Sequence, residues 1–296
     1  MFDQLIGNEK IKQDLRKAIQ TGKVSHSYLL IGNKGIGKML FAKEFAKAIL
    51  CENKESKPCM HCTSCTSFEN GNHPDFYTVR LEEKENSIKI DTIRALQSKV
   101  QELPIRSKRK VYIIDDSEFM TKEAQNCLLK TIEEPPAFVT ILLVTSNENK
   151  ILNTIQSRCL KIHFQPIEEN QLKNYLEEHY HRKDISENQL KAFNGSIGKA
   201  LQMEENREIY HTIETVFNHI ENYTLSKAMK ALEVLYKEKE LIYEMLDYSN
   251  VIFLNKAKQD KKYLSYIKKV EEIKRNINAN CNYDMSIDSL LFEIWK

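Results

Sequence analysis

Short, almost unbroken apolar runs punctuate the first half of the chain, and longer amphipathic stretches fill the spaces between them. The runs are Tyr28–Ile31, Phe76–Val79, Val111–Ile114, Thr140–Val144 and Leu160–Phe164, each the length of a strand. Apolar residues recur at helical spacing across Met39–Leu50, Ile90–Leu103 and Lys122–Ile132, the pattern of helices that bury one face. Strand, helix, strand in repetition predicts an α/β fold: a parallel sheet whose strands are joined by crossover helices.

Proline and glycine then stop. All six prolines lie at or before Pro166 and all eight glycines at or before Gly198. The remainder is rich in Lys, Glu, Leu, Ile and Tyr, and LSKAMKALEVLYKEKELIYEML carries apolar residues at helical spacing. Without strong helix breakers, this region predicts a helical bundle. Boundaries are expected near 166 and 204, giving segments 1–165, 166–204 and 205–296.

A length of 296 residues suits about two domains and a substantial core. The 44 basic and 42 acidic side chains leave a net charge of only +2, so any contact with nucleic acid has to come from local patches or an assembly. Arg106, Lys108, Arg109 and Lys110 form one such patch, which reads first as a solvated loop. No apolar stretch reaches the roughly 18 residues of a membrane span, and MFDQLIGNEK is no signal peptide. A cytoplasmic protein is expected.

GNKGIGKM, Gly32 to Met39, follows an apolar run and opens a helical pattern. It fits the phosphate-binding signature G-x-x-x-x-G-K-[ST] except at its last position. Gly32, Gly35 and Gly37 supply backbone freedom, Lys38 reaches the β- and γ-phosphates, and loop N–H groups cradle the anion. The hydroxyl that would help hold Mg²⁺ is replaced by Met39, whose soft thioether is a poor ligand for that hard cation. VYIIDDSEFM ends a strand in Asp115 and Asp116. They are either acids that solvate a turn or, with the loop, a Mg²⁺-holding aspartate followed by a water-orienting acid. In the second case Asp116 is a methylene shorter than the usual glutamate, and misplacement by about 1 Å can cost about a hundredfold in rate.

Cys51, Cys59, Cys62 and Cys65 fall within fifteen residues, spaced C-x₇-C-x₂-C-x₂-C. Four thiolates saturate tetrahedral Zn²⁺ and leave no open position, so a structural metal is expected rather than a catalytic one. His61 and His73 lie nearby but are read as non-ligands. Cys127 and Cys159 read as packing residues. Trp295 either anchors a subunit contact or finishes the bundle.

VYIIDDSEFMTKEAQNCLLKTIEEPP followed by ILLVTSNENKILNTIQSRC resembles the AAA+ core of bacterial clamp-loader subunits, with Glu133-Glu134-Pro135-Pro136 and Ser157-Arg158-Cys159 as its most specific parts. The resemblance covers about the first 205 residues. It implies an AAA+ nucleotide-binding-type domain with a zinc module at about 51–65, a small helical lid and a C-terminal helical collar. It implies ATP or ADP with Mg²⁺ as ligand, with Ser146 and Asn147 sensing the γ-phosphate. Arg158 would be an arginine finger reaching the ATP site of a neighbouring subunit, worth about 10³–10⁵ in rate. The family's second sensor is a G-S-x-R sequence, whereas this chain reads Gly195-Ser196-Ile197-Gly198-Lys199. Met39, Asp116 and Gly198 therefore point away from the gamma/tau motor branch and toward a non-hydrolysing stator, and the His-Pro-Asp of GNHPDFYTV is typical of that branch. Implied partners are gamma/tau and delta subunits, the β sliding clamp and primed DNA, with no membrane. Two rivals stand beside it: an active motor subunit, and a zinc-dependent nucleic-acid-binding protein with a vestigial loop.

Overall fold

Every apolar run of the first half becomes a strand, and the three central ones are buried on both faces of the sheet. In the computed structural model, which describes residues 1–82 and 85–296, the strands are β1 (Ser27–Ile31), β2 (Phe76–Val79), β3 (Lys110–Ile114), β4 (Val139–Thr145) and β5 (Leu160–His163). They pair in parallel in the order β2-β3-β4-β1-β5. The helices around them are α1 (Glu9–Thr21), α2 (Lys38–Leu50), α3 (Thr63–Glu69), α4 (Ile90–Val100), α5 (Lys122–Glu133) and α6 (Asn153–Gln156).

Successive residues of one strand enter two different cores. Leu29, Tyr112, Ile114, Ile141 and Leu143 pack with residues of α4 and α5 such as Ile93, Leu96 and Leu128. Tyr28, Leu30, Val111, Ile113, Leu142 and Val144 pack with Phe41, Ala42 and Phe45 of α2. Burial on both faces is why these strands read as continuous apolar runs rather than as alternation. Phe45 meets Tyr28 edge-on at 5.3 Å between centroids and Phe41 meets Phe164 at 5.0 Å. Each such pair adds about 0.5–1.5 kcal/mol beyond its buried area, and together they fix α2, and with it the loop that precedes it, against β1 and the residue that follows β5.

The helix expected over Ile90–Leu103 stops at Val100, because Pro104 disfavours helical backbone in the residue before it, and Leu103 is left exposed. The expectation of a solvated basic loop fails at Lys110. It is fully buried, and its Nζ donates to the Lys99 carbonyl at 2.9 Å.

The chain divides into two units, Met1–Gln171 and Leu172–Lys296. The second is helical, with α7 (Glu169–Tyr180) running into it, followed by α8 (Glu187–Phe193), α9 (Ile197–Glu205), α10 (Arg207–Asn218), α11 (Leu225–Ala231), α12 (Val234–Lys237), α13 (Ile242–Ala257), α14 (Tyr263–Asn278) and α15 (Tyr283–Ile294). The boundary expected near 204 falls inside this unit. Helices on either side of it share a polar cluster, in which Glu214 accepts bonds from Ser186 Oγ, Asn188 Nδ2 and Tyr248 Oη. The stretch LSKAMKALEVLYKEKELIYEML breaks into three helices; Lys237–Glu240 has no apolar residue to bury, and the chain turns there. Trp295 takes the bundle role: its Nε1 donates to the Tyr223 carbonyl at 2.9 Å.

Candidate functional site

The phosphate-loop residues lie where β1 ends and α2 begins. Gly37 precedes α2 at φ 92° and offers no side-chain cap, so the first-turn N–H groups and the positive end of the helix dipole face the loop. At Gly32 a Cβ would stand 2.6 Å from Ile36 Cδ1 and 3.1 Å from the Phe164 carbonyl oxygen, which leaves room only for glycine. Lys38 is buried and folds back, its Nζ donating to the carbonyls of Gly32 at 2.7 Å and Asn33 at 2.8 Å. Burial lowers its pKa, opposed by the charges of Glu118, Asp115 and Asp116 in that order. Met39 packs against the core beneath the sheet, so the side chain that replaced the hydroxyl has a structural use.

Asp115 and Asp116 follow β3 at the same edge. Burial raises the Asp115 pKa, and the neighbouring Asp116 carboxylate adds to it; the amide of Asp116 donates to Asp115 Oδ1 at 3.0 Å. Glu118, three residues on, is a site residue that the sequence reading misses, although DDSE places a third acid beside the pair. It is 7% exposed, and its Oε1 accepts the Ser146 amide at 3.0 Å and the Ser146 hydroxyl. Its Oε2 is buried without a hydrogen bond. Burial is the largest influence and opposes its ionisation, but the Ser146 hydroxyl, the amides of Glu118 and Ser146 and the Thr145 side chain together outweigh it and the pKa is lowered. Asn147 is exposed, and its side-chain oxygen accepts the Asn149 amide at 3.1 Å.

Arg158 lies at the other edge. Its carbonyl accepts Ser27 Oγ at 2.9 Å, which puts it beside the start of β1, while the phosphate loop leaves the end of that strand. Four residue steps of strand are about 13 Å, farther than an arginine side chain extends. The guanidinium is 39% exposed, paired with Glu133 at 2.8 Å and bonded to the Thr154 carbonyl at 2.9 Å. Cys159, next to it, is half-buried, and burial pushes its thiol up to about 11; it packs rather than reacts.

The four clustered cysteines converge. Their sulfurs all lie within 4.8 Å of one another, close to the separation of about 3.8 Å that four Zn–S bonds of about 2.3 Å impose in a tetrahedron. The amides of Cys59, Cys62 and Cys65 donate to the sulfurs of Cys51, Cys59 and Cys62 at 3.3–3.4 Å, a bonding pattern that favours thiolates. Burial pushes the Cys51 and Cys65 thiols up. At Cys59 burial acts the same way but is outweighed by the amides of His61 and Cys62, which bring the thiol down to about 6. These donors fit a metal. His73 is engaged elsewhere: its Nδ1 accepts the Asp75 amide at 3.0 Å, which leaves the protonated Nε2 to meet Ser64 Oγ at 2.7 Å. Asp75 in turn accepts the amides of Ile105, Arg106 and Ser107 at 2.7–2.8 Å.

Ser196 caps α9 by accepting the Lys199 amide at 3.1 Å, so Gly198 and Lys199 lie in the first turn of that helix. No helix among the described residues is long and apolar enough to cross a membrane.

The family described as DNA polymerase III, delta subunit, matches residues 7–168, more than half of the sequence. The chain belongs to this clamp-loader family. It is 33% identical over 209 residues to the DNA polymerase III subunit tau of Salmonella typhimurium, covering 68% of this chain and 32% of that protein. It is 31% identical over 233 residues to the subunit delta' of Bacillus subtilis, covering 78% of this chain and 65% of that one. The chain spans between a quarter and somewhat over half of the tau and gamma relatives it matches. A DNA polymerase III gamma subunit-related protein from Thermotoga maritima superposes with a TM-score of 0.52 at 18% identity, over 95% of this chain and 98% of that one. That likeness speaks for the fold, and the five-stranded parallel sheet with its helices resembles the AAA+ fold.

Proposed function

We propose that this clamp-loader family member is a stator of the delta' type. It would bind a nucleoside triphosphate weakly or without turnover and donate Arg158 to the ATP site of an adjacent subunit. The observation that carries this reading is the separation of Arg158 from its own phosphate loop, at opposite ends of β1. An arginine that cannot reach its own nucleotide, yet stands half-exposed on a single carboxylate, suits action in trans. In this reading Glu133 holds the guanidinium until a neighbour's phosphate competes for it.

Met39, Asp116 and Gly198 weaken the chain's own hydrolysis, while Lys38 and the three loop glycines retain phosphate binding. Asp115 would hold the Mg²⁺ of a bound ATP or ADP, and Asn147 would lie near its γ-phosphate. Mg²⁺ supplies charge neutralisation of the phosphates; the chain's residues position them. Cys51, Cys59, Cys62 and Cys65 would hold a structural Zn²⁺. The helical second unit would supply a lid over 166–204 and a collar over 205–296, and the partners would be gamma/tau and delta subunits, the β clamp and primed DNA in the cytoplasm. A motor role is the second reading, favoured by the identity to tau and gamma relatives.

ATP turnover by the reconstituted loader with clamp and primed DNA separates the two. Arg158→Ala should leave assembly intact and cut turnover by about 10³-fold or more, with the lone wild-type chain inert. Unchanged turnover together with hydrolysis by the lone chain would establish the motor reading instead.

A further inference from the structure

Three carboxylates act on Lys38, whose own hydrogen bonds are spent on loop carbonyls. The edge of the sheet expected to receive an anion is therefore acidic. Polyphosphate entering it meets like charge unless a cation enters too. The usual hydroxyl ligand for that cation is absent at Met39, which packs into the core. Meanwhile Glu118 is more than nine-tenths buried and keeps one carboxylate oxygen, Oε2, without any hydrogen bond. Leaving such an atom unmet costs stability, and its other oxygen is held in place by two bonds from Ser146. An orphaned oxygen on an immobilised side chain is a preorganised ligand for a hard cation, which takes oxygen donors.

We propose that Glu118, through its free Oε2, joins Asp115 in holding the divalent cation of a bound nucleoside polyphosphate, the role that position 39 leaves open. The inference rests on the reading that the phosphate loop binds nucleotide. It makes Glu118 a binding residue rather than a mere anchor for the loop that carries Ser146 and Asn147. Ser146, which holds Glu118, follows β4 where that strand runs beside the ends of β1 and β3, so Glu118 lies at the same edge as the phosphate loop and Asp115. It also gives the site a distinguishing behaviour: affinity depends on the cation more steeply than the phosphates alone require.

The test is calorimetric titration of the full chain with ATP, in Mg²⁺ and in a chelator, for wild type, Glu118→Gln and Ser146→Ala, each checked for folding by circular dichroism. Glu118→Gln keeps an oxygen for Ser146 and removes the charge. It should weaken Mg-ATP binding by about tenfold or more while leaving ATP affinity in chelator unchanged or tighter. Ser146→Ala keeps the carboxylate charge but removes one of the two bonds that hold it, and should lower the ratio of the two affinities by less than Glu118→Gln does. If Glu118→Gln keeps the wild-type ratio, or if Ser146→Ala lowers it equally, Glu118 acts only through the loop and the inference is overturned. If the wild-type chain binds no ATP under either condition, the nucleotide reading itself falls and takes the inference with it.

Discussion

At the edge where the strands begin, Asp75 accepts three backbone amides, His73 is bonded at both ring nitrogens, and Ser27 meets the Arg158 carbonyl. At the edge where they end, Lys38 bonds to its own loop and Glu118 keeps an oxygen with no partner. Asp115 there is pushed toward its neutral form by burial. The side chains named at the first edge are thus all bonded, although Tyr112 Oη of β3 is also buried without a partner, whereas the second edge carries a carboxylate oxygen that has none. Ligands of open α/β sheets bind beyond the carboxyl ends of the strands, the edge at which Glu118 lies. The cysteine cluster belongs to the first edge. Leu50, at the end of α2, accepts the hydroxyls of Ser64 and Ser107, which ties the cysteine-bearing segment to the loop before β3.

The contrast is tested most forcefully at the cysteine cluster of the first edge. Reading Cys51, Cys59, Cys62 and Cys65 as zinc ligands predicts about one Zn²⁺ per chain and, on chelation, loss of amide protection across residues 51–65 while the strands stay protected. Structural zinc contributes on the order of 10 kcal/mol in small modules, so this local effect should exceed that of any single substitution at either edge. Purified chain free of zinc, or unchanged hydrogen exchange after chelation, would count against a metal at that edge.

Asp75→Asn tests the same edge more gently. The substitution removes a charge from three amide bonds and sets an NH₂ group against part of that donor set. A loss of about 2–4 kcal/mol in urea unfolding is expected, because bonds to charged groups contribute about 1.5–3 kcal/mol each. ATP affinity should not move. A parallel loss of nucleotide binding would show that the two edges are not separable.

What can be read from the sequence follows the same division between local and distant relations. The central strands are legible because burial on both faces leaves a continuous apolar run; the flanking Phe76–Val79, only partly buried, is still a strand over those very residues, and α2 and α5 differ from expectation by one residue at an end. The cysteines are legible because the four lie close in sequence. Lys110 misleads, since a charged residue beside other charges gives no sign that a buried carbonyl, that of Lys99, lies within reach. Glu118 escapes notice for a related reason. Its significance depends on Ser146, 28 residues away, and on an oxygen that nothing meets, and neither relation has a local pattern. The separation of Arg158 from the loop likewise needs the strand register.

The smallest expected effect touches the phosphate-loop edge directly. Met39→Thr restores the loop signature and removes part of a half-buried side chain from the core. Stability should fall by about 1 kcal/mol, the cost of exposing or deleting roughly one buried methylene's worth of apolar surface. Affinity for Mg-ATP should rise, with affinity in chelator unchanged, because the new hydroxyl can act only through the cation. If Glu118 already serves that cation, the two groups share one ligand and their effects should not add; Glu118→Gln should cost less in the threonine background than in the wild type. Additive effects would mean that the hydroxyl and the carboxylate act on different steps. A threonine variant with unaltered Mg²⁺ dependence would mean that a missing oxygen is not what limits this edge of the sheet.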